Sequence, residues 1–368
     1  MTADPMHLAL ELAAACVGQT SPNPAVGAVI VRGSEVVGRG AHTYLGIKHA
    51  EILALEEAGE KARGATLYVT LEPCSHQGRT PPCADAIIAA GIRKVVAAMQ
   101  DPNPLVSGEG FRKLRSAGVE VEISAQHAAA AEKLNEPYVH FMRRRLPLVT
   151  LKAALTLDGK IAAPEDNQGW ITSERARAHV QTLRHASDAI MTGIGTVLAD
   201  DCLMTDRSGL PRSRPLLRIV LDSQLRLPPA SRMVSSCRND VLVATTSAAS
   251  EERRKALEAR GVRVIVCDGA GGRTDLRGVL QHLASAQYQS LMIEAGSKVN
   301  WAALEAGIVD KIFFYYAPKI LGGMQSLPVA GGAGRRRRAD AIRFKNVTLH
   351  SIAPDEFAVE AYMIKEEY

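Results

Sequence analysis

Short runs rich in valine, isoleucine and leucine alternate with amphipathic stretches along nearly the whole chain. No other feature restricts the fold as much, because strands joined by helices build layered α/β domains. The pattern predicts a helix over 6–17, then a hairpin of Val26–Val31 and Glu35–Gly38 around a Gly-Ser turn. A helix over 49–62, a strand over 65–73 and a helix over 81–91 follow, the last with Thr80 as N-cap, Pro81 at its first position and Gly91 just past its end. Strands at 94–99 and 119–123 flank a helix over 109–118, and a further helix is expected over 127–145. The charge run and proline of "RRRLPLV" (143–149) then mark a boundary. A chain of 368 residues exceeds one ordinary core, so domains of 1–145 and 146–368 are expected. In the second, strands are predicted at 148–155, 188–193, 216–222, 240–245, 262–267, 290–294 and 311–317. Helices are expected at 173–186, 250–260, 275–286 and 298–307, with a closing hairpin in 344–365.

Composition excludes several classes. Hydrophobic residues at 46% and charged residues at 23% suit a globular chain. No stretch approaches the roughly 18 apolar residues of a membrane span. The first segment, "MTADPMHLALELAAACVG", lacks a basic start and carries Glu11 in its apolar part, so it reads as an amphipathic helix rather than a signal peptide. The expected compartment is the cytoplasm, where the six cysteines stay reduced and serve metal binding or catalysis rather than disulfides. Net charge is a mild +5. The run Arg335–Arg338 after "AGGAG" reads as a solvated loop, and 4% aromatics do not make a nucleic-acid face. The expected partner is a small molecule, with neither nucleic acid nor membrane.

Two stretches carry metal chemistry. "HAE" (49–51) sets a histidine and a carboxylate at the start of a helix, and "PCSHQGRTPPC" (73–83) adds two cysteines. Thiolates and imidazole suit zinc, and three protein ligands leave a fourth position open for catalysis. Cys83 falls in the first turn of a helix, where backbone N–H groups favour a thiolate. His49, Cys74 and Cys83 are therefore the candidate ligands, and Glu51 the proton carrier. Residues two apart on a helix diverge by about 200°, so His49 and Glu51 converge only if His49 sits at the helix mouth. In the second half, "TGIGTVLADD" lacks the third glycine of a dinucleotide fingerprint. "LMIEAGSKVNWAALEAG" instead offers a strand ending at Glu294, then Gly296 and a helix mouth suited to phosphate.

The pattern H-x-E…P-C-x-x-C marks zinc nucleobase deaminases, but here eight residues separate the cysteines. With that insertion the sequence resembles the pyrimidine deaminase of riboflavin biosynthesis, whose motif runs Pro-Cys-Ser-His, Gly-Arg-Thr, Pro-Pro-Cys. The resemblance implies a cytidine-deaminase-like three-layer α/β/α domain. It also implies that Asn23, in "TSPNPAVGAVIV", and His76, with residues 78–80, line the substrate pocket. Spacing alone leaves His76 open as a fourth ligand.

"LKAALTLDGKIA", "WITS", "TVLADD", "LDS" and "IEAG" resemble, in this order, the reductase of the same pathway. That implies a dihydrofolate-reductase-like α/β fold using NADPH, and the two halves together resemble the fused deaminase/reductase. Carried over by motif, Ala154, Trp170, Thr196, Asp200, Ser223 and the run Gly296, Ser297, Lys298, Val299, Asn300, Trp301 and Ala302 would contact cofactor. Gln168, Arg184, Met204, Arg207 and Glu294 would surround substrate, the two arginines suiting a phosphate. Lys152, Asp200 and Glu294 are the implied catalytic groups. Gln168 and Met204 depart from the serine and leucine expected there. The implied chemistry is zinc-dependent deamination of a phosphoribosylaminopyrimidine followed by reduction of its ribosyl group, in a homo-oligomer (dimer or tetramer). The rivals are a nucleic-acid or nucleoside deaminase and a non-catalytic zinc and nucleotide binder. The intact Glu51 argues against the binder, since binding alone does not need it.

Overall fold

The computed structural model describes residues 4–78, 80–104, 106–165 and 169–365. They form two compact units, Met1–Arg145 with Pro211–Arg214, and Leu146–Leu210 with Pro215–Tyr368.

The first unit is built on a five-stranded sheet. Its strands are β1 (Gly27–Arg32), β2 (Glu35–Ala41), β3 (Thr66–Val69), β4 (Lys94–Ala97) and β5 (Glu120–Ile123), in the order β2-β1-β3-β4-β5. The hairpin partners run antiparallel, while β3, β4 and β5 are parallel. Helices α1 (Pro5–Ala14), α2 (Ala50–Ala58), α3 (Cys83–Ala89), α4 (Glu109–Ser116), α5 (Ala125–Leu134) and α6 (Glu136–Arg144) complete it. Glycines show how the layers stack. A Cβ on Gly27 would stand 2.0 Å from the Ala9 carbonyl oxygen of α1, and one on Gly40 2.0 Å from the Ala50 carbonyl oxygen of α2. Gly40 pairs with Ala28, and neighbouring strand residues face opposite sides. The two helices therefore cover opposite faces, giving the three layers expected. The core is aliphatic, with Val29, Ile30, Leu67, Ile87, Val95 and Leu114 fully buried.

Three local expectations change. The third helix starts at Cys83 with Pro82 as its cap, and Thr80 makes no cap bond. Pro82 keeps the residue before it out of helical conformation, which delays the start. The predicted helix over 127–145 breaks at Asn135, whose carboxamide instead bonds both the N–H and the carbonyl of Ala25. The strand expected over 65–73 ends at Val69 and continues as an extended run, tied by Thr70 N–H to Gly27 and Glu72 N–H to Met99.

The second unit holds nine strands in one sheet. In chain order they are β6 (Leu148–Thr156), β8 (Ala189–Gly193), β9 (Leu217–Leu221), β10 (Val241–Thr245), β11 (Arg263–Val266), β12 (Ser290–Ile293), β13 (Lys311–Ala317), β15 (Phe344–Ala353) and β16 (Glu356–Met363). The short β7 (Lys160–Ala162) and β14 (Leu327–Pro328) pair separately. The order is β11-β10-β9-β8-β12-β6-β13-β16-β15, parallel through β13 and closed by the antiparallel hairpin the tail predicted. Helices α7 (Glu174–Ala186), α10 (Glu251–Glu258) and α11 (Leu276–Ser285) carry Ser173, Ser250 and Asp275 as side-chain caps. Helix α12 (Ser297–Glu305) starts from Gly296. Two helices escaped the sequence reading, α8 (Ile194–Asp200) and α9 (Arg232–Ser235), each too short to show a period. This is the dihydrofolate-reductase-like α/β fold expected. Carboxyl ends of β8, β12 and β6 lie side by side, which is where open α/β sheets bind ligands.

Candidate active sites

In the first unit three separate segments meet. His49 caps α2 with extended backbone (φ −74°, ψ 159°), so it stands off the helix while Glu51 lies inside its first turn. That resolves the divergence of positions two apart. Cys74 follows the extended run after β3, and Cys83 opens α3. Nδ1 of His49 is 3.2 Å from Cys83 Sγ and 3.6 Å from Cys74 Sγ. The Cys83 N–H donates to Cys74 Sγ at 3.3 Å. Hydrogen bonding by the Cys83 thiol, with help from His49 and that N–H, pulls the Cys74 thiol down to about 4 despite burial. Cys74 in turn pushes the Cys83 thiol upward, and burial adds to it. One thiol of the pair is thus poised to ionise before the other.

The ligand atoms of these three residues lie within 4.8 Å of one another, and among the described residues no fourth histidine, cysteine or carboxylate joins them. Three soft donors with one position left open fit a catalytic zinc rather than a closed structural one. His76 is exposed and lies outside this group. Glu51 is 4% exposed, and burial, with the Cys74 charge, pushes its carboxyl up to about 7. A group held there can take and return a proton near neutral pH. Asn23 is half-buried on the loop before β1, with Nδ2 3.1 Å from Nε2 of His42. The Thr80 hydroxyl is buried and has no partner among the described residues.

Sequence reasoning missed Glu72. It is 3% exposed, and its carboxylate accepts from the N–H groups of Asp101, Gly108 and Phe111 at 3.2, 2.9 and 3.2 Å. The carboxylate two positions before Cys74 therefore locks the ligand-bearing run to the segments after β4. A glutamate inside an otherwise apolar stretch, "LYVTLEPC", was the available signal.

In the second unit the centre is Glu294. Its Oε2 accepts from Lys152 Nζ (3.3 Å) and Arg184 Nη2 (3.0 Å), and its Oε1 from Arg184 Nε (2.8 Å). Burial works to raise this carboxyl, but Lys152 and Arg184 outweigh it and hold it at about 2. Arg184 also donates to the Thr205 carbonyl. Its guanidinium is thus occupied by protein, whereas the Arg207 side chain is exposed. Met204 buries its side chain in the core beneath β8–β10, leaving only backbone for a ligand. Asp200 is exposed at the end of α8 and forms no ion pair with Lys152. Gln168 lies outside the described residues.

The implied cofactor residues divide by direction. Helix α12 turns about 100° per residue, so its run from Ser297 to Ala302 cannot face one ligand with every side chain. Asn300 is fully buried, and its Nδ2 donates to the Val329 carbonyl. Ala302 packs in the core, Lys298 is exposed, and Trp301 stacks under the Arg335 guanidinium at 5.6 Å. A Cβ on Gly296 would stand 3.7 Å from Thr196 Oγ1, and one on Gly193 would meet Val299. Ala154 lies beside Tyr315 in the β6–β13 ladder. Trp170 is exposed, with Arg177 stacked 4.8 Å from its ring. The Ser223 hydroxyl is taken up by the N–H and hydroxyl of Thr274. What fits a phosphate-bearing cofactor is the α12 mouth: a Gly cap, the N–H groups of Ser297 and Lys298 ahead of the first intrahelical bonds, and the buried Ser297 hydroxyl without a partner among the described residues.

Comparison with known proteins agrees with both halves. The family described as the cytidine and deoxycytidylate deaminase zinc-binding region matches residues 2–99, and the RibD C-terminal domain matches residues 147–355. The chain is 43% identical to the riboflavin biosynthesis protein RibD of Escherichia coli over 365 residues, covering 95% of this chain and 96% of the relative. It is 42% identical to RibD of Actinobacillus pleuropneumoniae over 352 residues, 96% and 93% of the two chains. Among solved structures, Acinetobacter baumannii RibD superposes with a TM-score of 0.87 at 37% identity, over 98% of both chains. A diaminohydroxyphosphoribosylaminopyrimidine deaminase/5-amino-6-(5-phosphoribosylamino)uracil reductase from Thermotoga maritima gives 0.83 at 35% identity, also over 98% of both.

Proposed function

The chain belongs to the RibD family of riboflavin-biosynthesis enzymes, and from that membership we propose how its residues divide the work. The protein is a bifunctional deaminase and reductase that uses zinc and NADPH. It deaminates 2,5-diamino-6-(5-phosphoribosylamino)pyrimidin-4(3H)-one, then reduces the ribosyl group of the uracil product to ribityl.

In the deaminase site His49, Cys74 and Cys83 hold the metal. Zinc, when bound, supplies Lewis-acid activation of water. Glu51 would carry the two protons of the attacking water in turn, the first to the ring nitrogen and the second to the amine that leaves as ammonia, a task suited to a carboxyl held near neutrality. Asn23 and His76 read the pyrimidine. In the reductase site NADPH supplies the hydride for the ribose C1. Glu294, fixed as a carboxylate by Arg184, orients the ribose hydroxyls, and Lys152 beside it carries the positive charge and the proton needed as the sugar opens. Arg207 takes the phosphate, with Met204 offering backbone, and Gln168 joins the substrate wall. Asp200 acts at the rim of this site. Thr196, Gly296, Ser297, Lys298, Val299 and Ala154 line the cofactor, and Asn300, Trp301 and Ala302 support its cradle from behind. Trp170 and Ser223 lie at its edges.

The observation that carries the reading is the convergence of His49, Cys74 and Cys83 beside a buried Glu51. Incubating purified protein with the diaminopyrimidine and NADPH tests it. NADPH oxidation should begin only as ammonia appears, in protein holding one zinc per chain. Zinc and NADPH binding without turnover would instead support a non-catalytic binder.

The enzyme is assigned to the cytoplasm and to a homo-oligomer. All six cysteines are free, and no helix among the described residues is long and apolar enough to cross a membrane. The sheet edge β15 exposes Val347 and Leu349, with Phe357 exposed on β16, an apolar edge that a second copy would cover. Sedimentation of the purified enzyme reads the oligomer directly.

A further inference from the structure

Pro211–Arg214 packs with the first unit although its neighbours on both sides along the chain belong to the second. Ser213 N–H donates to the Gly18 carbonyl (3.0 Å), and Ser213 Oγ to the Ser21 carbonyl (2.9 Å). Arg214 Nη2 donates to Ser21 Oγ (2.9 Å). All three bonds fall on the connection between α1 and β1, which carries Asn23. We propose that Ser213 and Arg214 are positioning residues for the deamination: they set the turn that presents Asn23 to the pyrimidine. The inference rests on the deaminase reading above.

That connection belongs to no helix or strand, so its conformation depends on what holds it. Inside it, Asn23 N–H closes a turn onto the Thr20 carbonyl (2.8 Å). From the hairpin side, Tyr44 N–H reaches the Gln19 carbonyl (2.9 Å). Gly18 and Ser21 are gripped by Ser213 and Arg214. Asn23 then has its amide nitrogen committed to Nε2 of His42, whose Nδ1 hydrogen bonds to the Lys48 carbonyl at 2.9 Å. This leaves the Asn23 carbonyl oxygen to accept from an N–H of the ligand. Ser21 stands two residues before Asn23, so loosening Ser21 moves that oxygen, while the bonds of Ser213 and Arg214 given above fall on none of His49, Cys74, Cys83 and Glu51. A hydrogen bond misplaced by about 1 Å weakens recognition of the ligand before it disturbs the chemistry.

The test is steady-state deamination by the full-length protein. Arg214→Ala should raise KM for the diaminopyrimidine about tenfold, the size of one lost hydrogen bond to a charged group, with kcat within about twofold. Zinc content and reduction of preformed uracil substrate should stay at wild-type values, and Arg214→Lys should recover most of the KM. Ser213→Ala, which keeps its N–H bond, should give a smaller KM rise, and it serves if Arg214→Ala does not fold. Unchanged KM in both variants overturns the proposal. So does a joint loss of kcat, KM and zinc that Lys does not rescue, because it marks a purely structural clamp. An inactive wild type would sink the deaminase reading itself, whereas an active wild type with unaffected variants sinks only this inference.

Discussion

Glu294 Oε2 lies 3.3 Å from Nζ of Lys152, and both side chains are only 11% exposed. The carboxylate also carries the Arg184 fork, so one anion balances two buried cations. Its folded pKa of about 2 lies below the ordinary glutamate value. The resulting stabilisation is therefore complete above about pH 4.5 and lost as pH falls towards 2, on the order of 3 kcal/mol in all. Thermal inactivation of the reductase should show this fall over that window. Glu294→Gln should melt lower at neutral pH, because it strands Lys152 and Arg184, and should lose less on acidification. Parallel pH profiles for the two proteins would refute the assignment.

Glu51 is the group whose removal separates metal binding from turnover. Glu51→Gln keeps shape and burial but cannot carry a proton. Deamination should drop by about 10²-fold or more, with zinc content and NADPH-dependent reduction of preformed uracil substrate unchanged. Cys74→Ser should instead lose zinc and deamination together. Metal analysis beside the two activity assays distinguishes these outcomes, and full deamination by Glu51→Gln would remove Glu51 from the mechanism.

Gly193 and Val299 test how the reductase cradle is packed. A Cβ at Gly193 would stand 2.7 Å from Val299 Cγ2, a contact that forces one of them to move. Gly193→Ala should push the mouth of α12 and raise KM for NADPH several-fold, at about 1–3 kcal/mol of stability. Adding Val299→Ala removes the clashing methyl and should restore much of both. A double variant no better than the single one would mean that α12 does not depend on this contact.

Much of this was legible in the chain itself. Local periodicity is strong where strands are apolar and helices are capped, which is why Ser173, Ser250 and Asp275 sit where helices were expected to start. The metal ligands were legible because soft donors at a strand end and two helix mouths leave few other uses. The partner of Arg184 and the directions of the α12 side chains were not, for a physical reason. A motif orders residues along the chain, whereas Arg184 is claimed by Glu294, 110 positions away, and a helix disperses consecutive side chains around its axis. Glu72 and the Ser213–Ser21 bond were invisible for the same reason: their partners are backbone groups distant in sequence.

Gly40 links the hairpin to the metal site. A Cβ there would meet the Ala50 carbonyl oxygen at 2.0 Å and the Ala54 nitrogen at 2.8 Å, both backbone atoms that cannot rotate away. Strand β2 can lie this close to α2 only because position 40 has no side chain. Ala50 stands between His49 and Glu51, so pushing the helix outward moves a metal ligand and the proton carrier together. Gly40→Ala should therefore cost about 1–3 kcal/mol, weaken zinc retention against a chelator, and lower deamination far more than Gly33→Ala, at a hairpin turn where nothing lies within 4 Å and the strain comes only from the turn's own positive φ of 64°. Reduction of preformed uracil substrate should be unaffected by either change. Equal zinc retention in the two variants would show that α2 tolerates the displacement.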